Sequence, residues 1–155
     1  MAKGSRAKTC PCGSGEIYRA CCAPFHAGAE PETLTALVRS RFAAFAMGDG
    51  AYLYRTTHPA HPLRARPRDA VVRELSSAKQ RLRYRDLTVH AEQIDGDAGQ
   101  ALFTARVFER GRDVSFRELS DFARVDGGWR YLEGLTVPAL DEAPGSIEAF
   151  LETLE

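Results

Sequence analysis

The apolar positions change rhythm along the chain. Between Pro31 and Gly48, the residues Leu34, Leu37, Val38, Phe42, Phe45 and Ala46 recur at helical spacing and predict an amphipathic helix. Pro31 suits its first turn and Gly48 its end. Asp49 is placed to cap a second, short helix over 51–57, stopped by His58-Pro59 and His61-Pro62. Three prolines stiffen 58–68, and Asp69 is expected to cap a third helix that buries Val71, Val72 and Leu75. From Tyr84 the period drops to two. Leu87, Val89 and Ala91 alternate with polar neighbours, and Ala101, Phe103, Ala105 and Val107 do the same in a second strand. Further strands are predicted over 115–125 and from Trp129 to Leu135. The breaks Asp95-Gly96-Asp97, Gly111-Arg112-Asp113 and Asp126-Gly127-Gly128 carry tight-turn chemistry. After Pro144-Gly145-Ser146, the residues Ile147, Phe150, Leu151 and Leu154 form the pattern of a short amphipathic helix. Helices followed by an antiparallel meander imply an α+β fold, a curved sheet covering helices.

Composition sharpens this picture in two ways. With 155 residues, 44% apolar and 27% charged, the chain suits one globular domain with an appendage. No apolar run approaches the ~18 residues of a membrane span. The formal net charge is zero, so bulk attraction to nucleic acid is not expected. The charge is uneven, however. Lys3, Arg6, Lys8 and Arg19 crowd the N-terminal end against Glu16 alone, while Asp141, Glu142, Glu148, Glu152 and Glu155 close the chain with no Lys or Arg among them. The expected organisation is a basic tail over 1–9, a metal knuckle over 10–24, a linker over 23–30, a main domain over 29–137 and an acidic tail with its short helix over 138–155.

The knuckle rests on the cysteines. All of them lie in the run Cys10-Pro11-Cys12-Gly13-Ser14-Gly15-Glu16-Ile17-Tyr18-Arg19-Ala20-Cys21-Cys22. Four thiolates satisfy a tetrahedral zinc completely. Cys10 and Cys12 would form one arm of the claw, Cys21 and Cys22 the other. Gly13 and Gly15 permit the turn between them, Pro11 stiffens the first arm, and Ser14 is expected to cap a helical turn over Glu16–Ala20. Metal is also called for energetically. Ordering about fifteen residues costs on the order of 15–30 kcal/mol of backbone entropy. Ile17 and Tyr18 return roughly 1.5–3 kcal/mol each, and a structural zinc contributes about 10–16 kcal/mol. Disulfides would need an oxidising compartment, which the polar start Met1-Ala2-Lys3-Gly4-Ser5-Arg6 does not suggest; a cytoplasmic location is expected. A redox pair would more usually read C-x-x-C within a βαβ unit. Lys8 and Arg19 are positioned to offset the formal dianion of a tetrathiolate site.

The run C-P-C-G-S-G-x-x-Y-x-x-C-C resembles the SEC-C motif, a zinc knuckle also found at the C-terminus of the bacterial preprotein translocase motor. The resemblance implies a structural zinc on a protein- or ribosome-contacting knob, with Cys22 as last ligand and His26 not needed. The order of elements downstream is similar to the nuclear-transport-factor-2-like (NTF2-like) cone, in which helices close over the concave face of a bent sheet. Arg39-Ser40-Arg41-Phe42-Ala43-Ala44-Phe45, Gly48-Asp49, Tyr52-Leu53, Thr56, His58-Pro59, Phe116–Phe122 and Asp126–Gly134 make the likeness specific to the uncharacterised bacterial YchJ-like family. Two departures stand out: Thr57 where the family pattern has Trp, and Arg117 where it has His. Many members also carry a second, C-terminal knuckle; this sequence implies a single one.

Cones of this type often hold a pocket, and fold alone does not assign its use. The candidate pocket groups are Arg39, Arg41, Tyr52, His58, Glu118, Ser120 and Tyr131. Arg39 and Arg41 are expected to face Glu118, as a structural ion pair or as the polar end of a ligand site. His58 is a candidate base, or a bond to a loop carbonyl. His26, His61 and His90 are expected at the surface. No nucleophile–base–orienter set is visible, and no phosphate-cradling glycine loop follows a strand. Trp129 and Tyr131 are expected to pack the core and cone rim. The first functional reading is therefore an adaptor using one structural zinc to contact a protein partner, such as a chaperone, the translocation machinery or a ribosomal surface. In that reading the cone supplies a homodimer interface or a small-ligand pocket. The second is an enzyme acting on a small organic molecule inside the cone, with Arg39 or Arg41 binding an anionic group and His58 or Glu118 moving protons. A deep, partly apolar cavity with one unpaired ionisable group would favour it, and one filled by Phe42, Phe45, Phe103, Phe116 and Phe122 would rule it out. Nucleic-acid binding through the basic N-terminus ranks last.

Overall fold

The computed structural model describes residues 8–155; Lys3, Arg6 and the rest of 1–7, most of the expected basic tail, lie outside the described residues. A hairpin-like knuckle leads through a 3-10 turn at Tyr18–Ala20 into the short helix α1 (Ala23–His26), then α2 (Leu34–Met47) and α3 (Gly50–Arg55). A 3-10 turn at Pro62–Ala65 precedes α4 (Arg68–Ser76), which tightens into another at Ser77–Gln80. The sheet comprises β1 (Leu82–Asp95), β2 (Ala98–Glu109), β3 (Arg112–Asp113), β4 (Phe116–Val125) and β5 (Gly128–Pro138), and α5 (Ile147–Glu152) follows.

The helix ends follow local chemistry, in places different from that expected. Helix α2 starts at Thr33, whose hydroxyl accepts the Ala36 N–H at 3.0 Å, so Pro31 stands outside the helix. Gly48 ends it with a left-handed φ of 78°. Asp49 caps α3 as expected, accepting from Tyr52 N at 3.0 Å. Asp69 does not cap α4. Pro67 occupies that position, and Asp69 sits in the first turn, where an acid complements the helix dipole, paired with Arg68 at 3.1 Å. Residues 23–30 are not a plain linker, since α1 forms within them with Pro24 in its first turn.

The strands run β1-β2-β4-β5, antiparallel throughout, with β3 pairing only the end of β2. The turn expected at 111–113 falls one residue earlier. Arg110 and Gly111 have positive φ, and Arg112-Asp113 pair back onto Glu109 and Phe108. Register shifts at Tyr84/Asp86, Val89/Ala91 and Asp121/Phe122 bend the sheet. Against its concave face α2 packs Leu34, Leu37, Val38 and Phe42 on Leu87, Ala101, Ala105, Val107, Phe122 and Trp129. Part of the convex face is covered as well. Leu102 and Leu119 would meet water, but Ile147 and Phe150 of α5 close over them, so the C-terminal helix packs on its own sheet. Buried Arg117 ties down the strap before α5, donating to the Asp141 carbonyl at 3.0 Å, the Asp141 carboxylate at 3.4 Å and the Thr104 hydroxyl at 3.2 Å. No helix among the described residues is long and apolar enough to cross a membrane.

Candidate metal centre and cone cavity

In the knuckle, Thr9 bridges Ile17, with Cys10 N donating to Glu16 O at 2.8 Å and Tyr18 N to Lys8 O at 2.9 Å. Gly13 and Gly15 take φ of 82° and 87°, which a side chain would resist, and turn the first arm back on the second. The four sulfurs of Cys10, Cys12, Cys21 and Cys22 lie within 4.8 Å of one another. Cys12 and Cys21 are 3.6 Å apart at Sγ, Cys21 and Cys22 3.9 Å, and no disulfide joins them. A tetrahedral ion with metal–sulfur bonds of about 2.3 Å sets its ligand sulfurs roughly 3.8 Å apart. The donor set therefore fits a thiophilic metal ion. Ser14 does not cap the 3-10 turn. Its Oγ accepts the Glu16 N–H at 3.1 Å and lies 3.2 Å from Cys21 Sγ, bracing a ligand instead.

Electrostatics point the same way. Burial pushes the Cys10 thiol up to about 11. The neighbouring Cys22 thiol holds Cys12 down to about 4, while Cys12 and burial raise Cys22. Crowded sulfurs share protons because several bare thiolates cannot coexist in so small a volume. A cation at their centre removes that conflict.

The knuckle is seated on α2. Cys10, Cys12 and Cys22 bury against Ala43, whose small side chain allows close approach. Arg39 Nη1 donates to the Cys12 carbonyl at 3.0 Å. His26 Nε2 meets the Ser40 carbonyl at 2.9 Å, so that nitrogen carries the hydrogen and Nδ1 accepts from the Tyr18 hydroxyl at 2.7 Å. The His26 ring also lies 4.7 Å from the Tyr52 ring, whose hydroxyl meets Ser40 Oγ at 2.6 Å. His26, expected at the surface, is thus the pin between knuckle and cone. Glu30 anchors the following segment through a two-pronged pair with Arg130 at 2.8 and 3.0 Å.

Between α2 and the sheet lies a cavity of about 480 Å³. The phenylalanines expected either to fill it or to leave it open line its wall: Phe42, Phe45, Phe103, Phe116 and Phe122, together with Tyr84. One end is polar and gathers four of the predicted residues, Arg41, Glu118, Ser120 and Tyr131, with Thr57 and His61. Glu118 accepts hydroxyl hydrogens from Ser120, Tyr131 (3.2 Å) and Thr136 (3.0 Å), in room kept open by Gly134, where a Cβ would meet its carboxylate. Arg41 does not pair with Glu118. Its Nη1 donates to Leu53 O (3.1 Å), Thr56 Oγ1 (2.8 Å) and Thr57 Oγ1 (3.4 Å), and its guanidinium lies 4.7 Å from the centre of the Tyr131 ring. Burial pulls Arg41 down to about 10, which leaves it charged at neutral pH. Burial, and then Arg41, lowers His61.

Three predicted pocket residues lie elsewhere. Arg39 serves the knuckle, and Tyr52 is buried between α2 and α3. His58 turns its Nδ1 to the Ala60 N–H at 3.0 Å, accepting an amide hydrogen rather than bonding a carbonyl. His61, expected at the surface, borders the cavity, and half-buried His90 bonds the Thr104 hydroxyl at 2.7 Å. His61 carried a faint signal: it precedes Pro62 and caps the turn that follows by accepting from Leu63 N at 3.0 Å.

A cysteine knuckle on a helix-covered, bent antiparallel sheet defines an NTF2-like protein with a SEC-C motif. The family model described as "YchJ, middle NTF2-like domain" matches residues 33–134 and the SEC-C motif matches residues 6–24. The chain belongs to the YchJ family. It is 41% identical to a UPF0225 protein of Deinococcus radiodurans over 128 residues, which cover 81% of this chain and 88% of the relative. A UPF0225 protein of Streptomyces coelicolor is 40% identical over 126 residues, covering 81% and 93%. Among solved structures, a SEC-C motif containing protein from Rhodopseudomonas palustris superposes with a TM-score of 0.70 at 32% identity, covering 83% of this chain and 98% of that one.

Proposed function

We propose that this protein is a cytosolic adaptor in which one structural zinc, held by Cys10, Cys12, Cys21 and Cys22, shapes a knob that contacts a protein partner. The observation that carries the reading is the four-sulfur cluster at tetrahedral spacing, seated on α2. Four thiolates leave a zinc no open position for water or substrate, so the ion supplies shape rather than reactivity. Thr9, Gly15, Glu16 and Arg19 remain exposed and form the surface offered to a partner. A chaperone, the translocation machinery and a ribosomal surface are the partner classes in view. The test is affinity capture with zinc-loaded protein beside the Cys10→Ala/Cys12→Ala double variant. A partner retained by the first and lost by the second assigns the knuckle its role; identical partner sets overturn it.

A second reading is favoured by one observation of its own. The cone encloses about 480 Å³ of largely apolar space, well within the range of small-molecule sites. In this reading the cone binds a small organic molecule. Saturation binding of an apolar probe that is abolished by filling the space, for instance with Ala105→Trp, supports it. Binding that survives such a plug places the probe elsewhere.

A further inference from the structure

We infer that the cone cavity selects small organic acids: a molecule with an apolar body among the phenylalanines and a single carboxylate on Arg41. The inference rests on the small-molecule reading of the cone and adds the chemical class of the ligand. Arg41 spends one nitrogen on the protein, Nη1, which serves Leu53 O and the Thr56 and Thr57 hydroxyls. Among the described residues, Nε and Nη2 meet no acceptor, and no carboxylate lies within ion-pairing distance of the guanidinium. These two nitrogens form the side of the fork that matches a carboxylate bidentately.

The rest of the polar end narrows the choice. Glu118 is the natural rival, since it would attract a cationic ligand. Its two oxygens already accept three hydroxyl hydrogens, from Ser120, Tyr131 and Thr136, which leaves it little capacity for a ligand ammonium. His61 has committed Nδ1 to the Leu63 amide. Arg41 is therefore the cation with donors to spare, in a setting where water competes poorly. A large, multiply charged ligand is disfavoured because the remaining wall is apolar and Glu118 repels further negative charge.

The experiment compares three probes with one tail and different heads: octanoate, 1-octanol and octylamine, titrated calorimetrically into the intact zinc-loaded protein. Octanoate is expected to bind at least about tenfold more tightly than 1-octanol, the range of one charge-assisted hydrogen bond, and more tightly still than octylamine. Arg41→Met is expected to erase the preference for octanoate. Because Arg41 also holds the end of α3, Glu118→Gln provides an independent check. It removes the repelling charge while one oxygen can still accept, and is expected to raise the preference for octanoate over 1-octanol several-fold. Equal binding of all three heads overturns the acid preference and leaves the pocket reading standing. Tightest binding of octylamine overturns it in favour of Glu118. No binding of any probe overturns both.

Discussion

Residues 8–22 turn four thiols and the flank of Tyr18 inward, whereas α2 and the sheet enclose Leu34, Leu37, Leu87, Val107 and Trp129 among others. The cone buries enough apolar surface to hold itself. The knuckle does not; it has a cluster of four sulfurs whose spacing fits a metal ion, and a few polar ties to α2. One chain thus contains an element whose four sulfurs are spaced to fit a metal ion and another organised by burial. Helix α2 serves both, with Leu34, Leu37, Val38 and Phe42 toward the sheet and Ala43 toward the sulfurs. The small side chain of Ala43 lets the knuckle approach closely.

The contrast is tested most severely at the metal ligands. Cys21→Ala is expected to abolish stoichiometric zinc, placing about 10–16 kcal/mol of local stabilisation at stake. Amide exchange over residues 8–22 should become fast while the cone keeps its cooperative melt. Loss of the cone melt as well would break the separation. The reciprocal change is Leu37→Ala, in a fully buried side chain. It should cost the cone roughly 2–5 kcal/mol in chemical denaturation, with zinc still bound at one equivalent.

Smaller effects report on the joint. Arg39→Ala removes the donor to the Cys12 carbonyl and should loosen the knuckle by about 1–2 kcal/mol, visible as faster local exchange with an unchanged cone melt. The smallest effect is at Glu30. Arg130 beside it holds its carboxyl below the usual value of 4.5. A carboxyl more acidic in the folded state than in the unfolded one stabilises fully above the unfolded pKa and loses that contribution as pH falls through the folded value. The gain is at most about 1 kcal/mol because Glu30 is substantially exposed. Melting temperatures of wild type and Glu30→Gln should differ at neutral pH and converge as the pH falls below 4.5 and through the lowered folded-state value. A difference that persists in acid would assign the pair no part in stability.

The residues missed or misplaced by sequence reading share a cause. Arg39 and Arg41 are two positions apart on a helix and point about 200° away from each other, so they cannot both face Glu118. One reaches the knuckle and the other the cavity. Tyr52 and His58 have the chemistry of pocket residues but serve packing and a turn. His26 was hidden because four helical residues between two turns leave almost no periodic trace. By contrast, Glu118 and Ser120 share a strand face by the period of two, and both line the cavity.

The order of elements, the tight turns and the cysteine claw were determined by local pattern, because capping, alternation and ligand spacing are relations between residues close in the chain. Which arginine meets which acceptor, whether the phenylalanines fill or line the cone, and where α5 packs were decided only by tertiary structure. Those outcomes depend on how the bent sheet aligns residues far apart in sequence, such as His26 with Ser40, Arg41 with Tyr131 and Leu102 with Phe150, and no local pattern encodes that alignment.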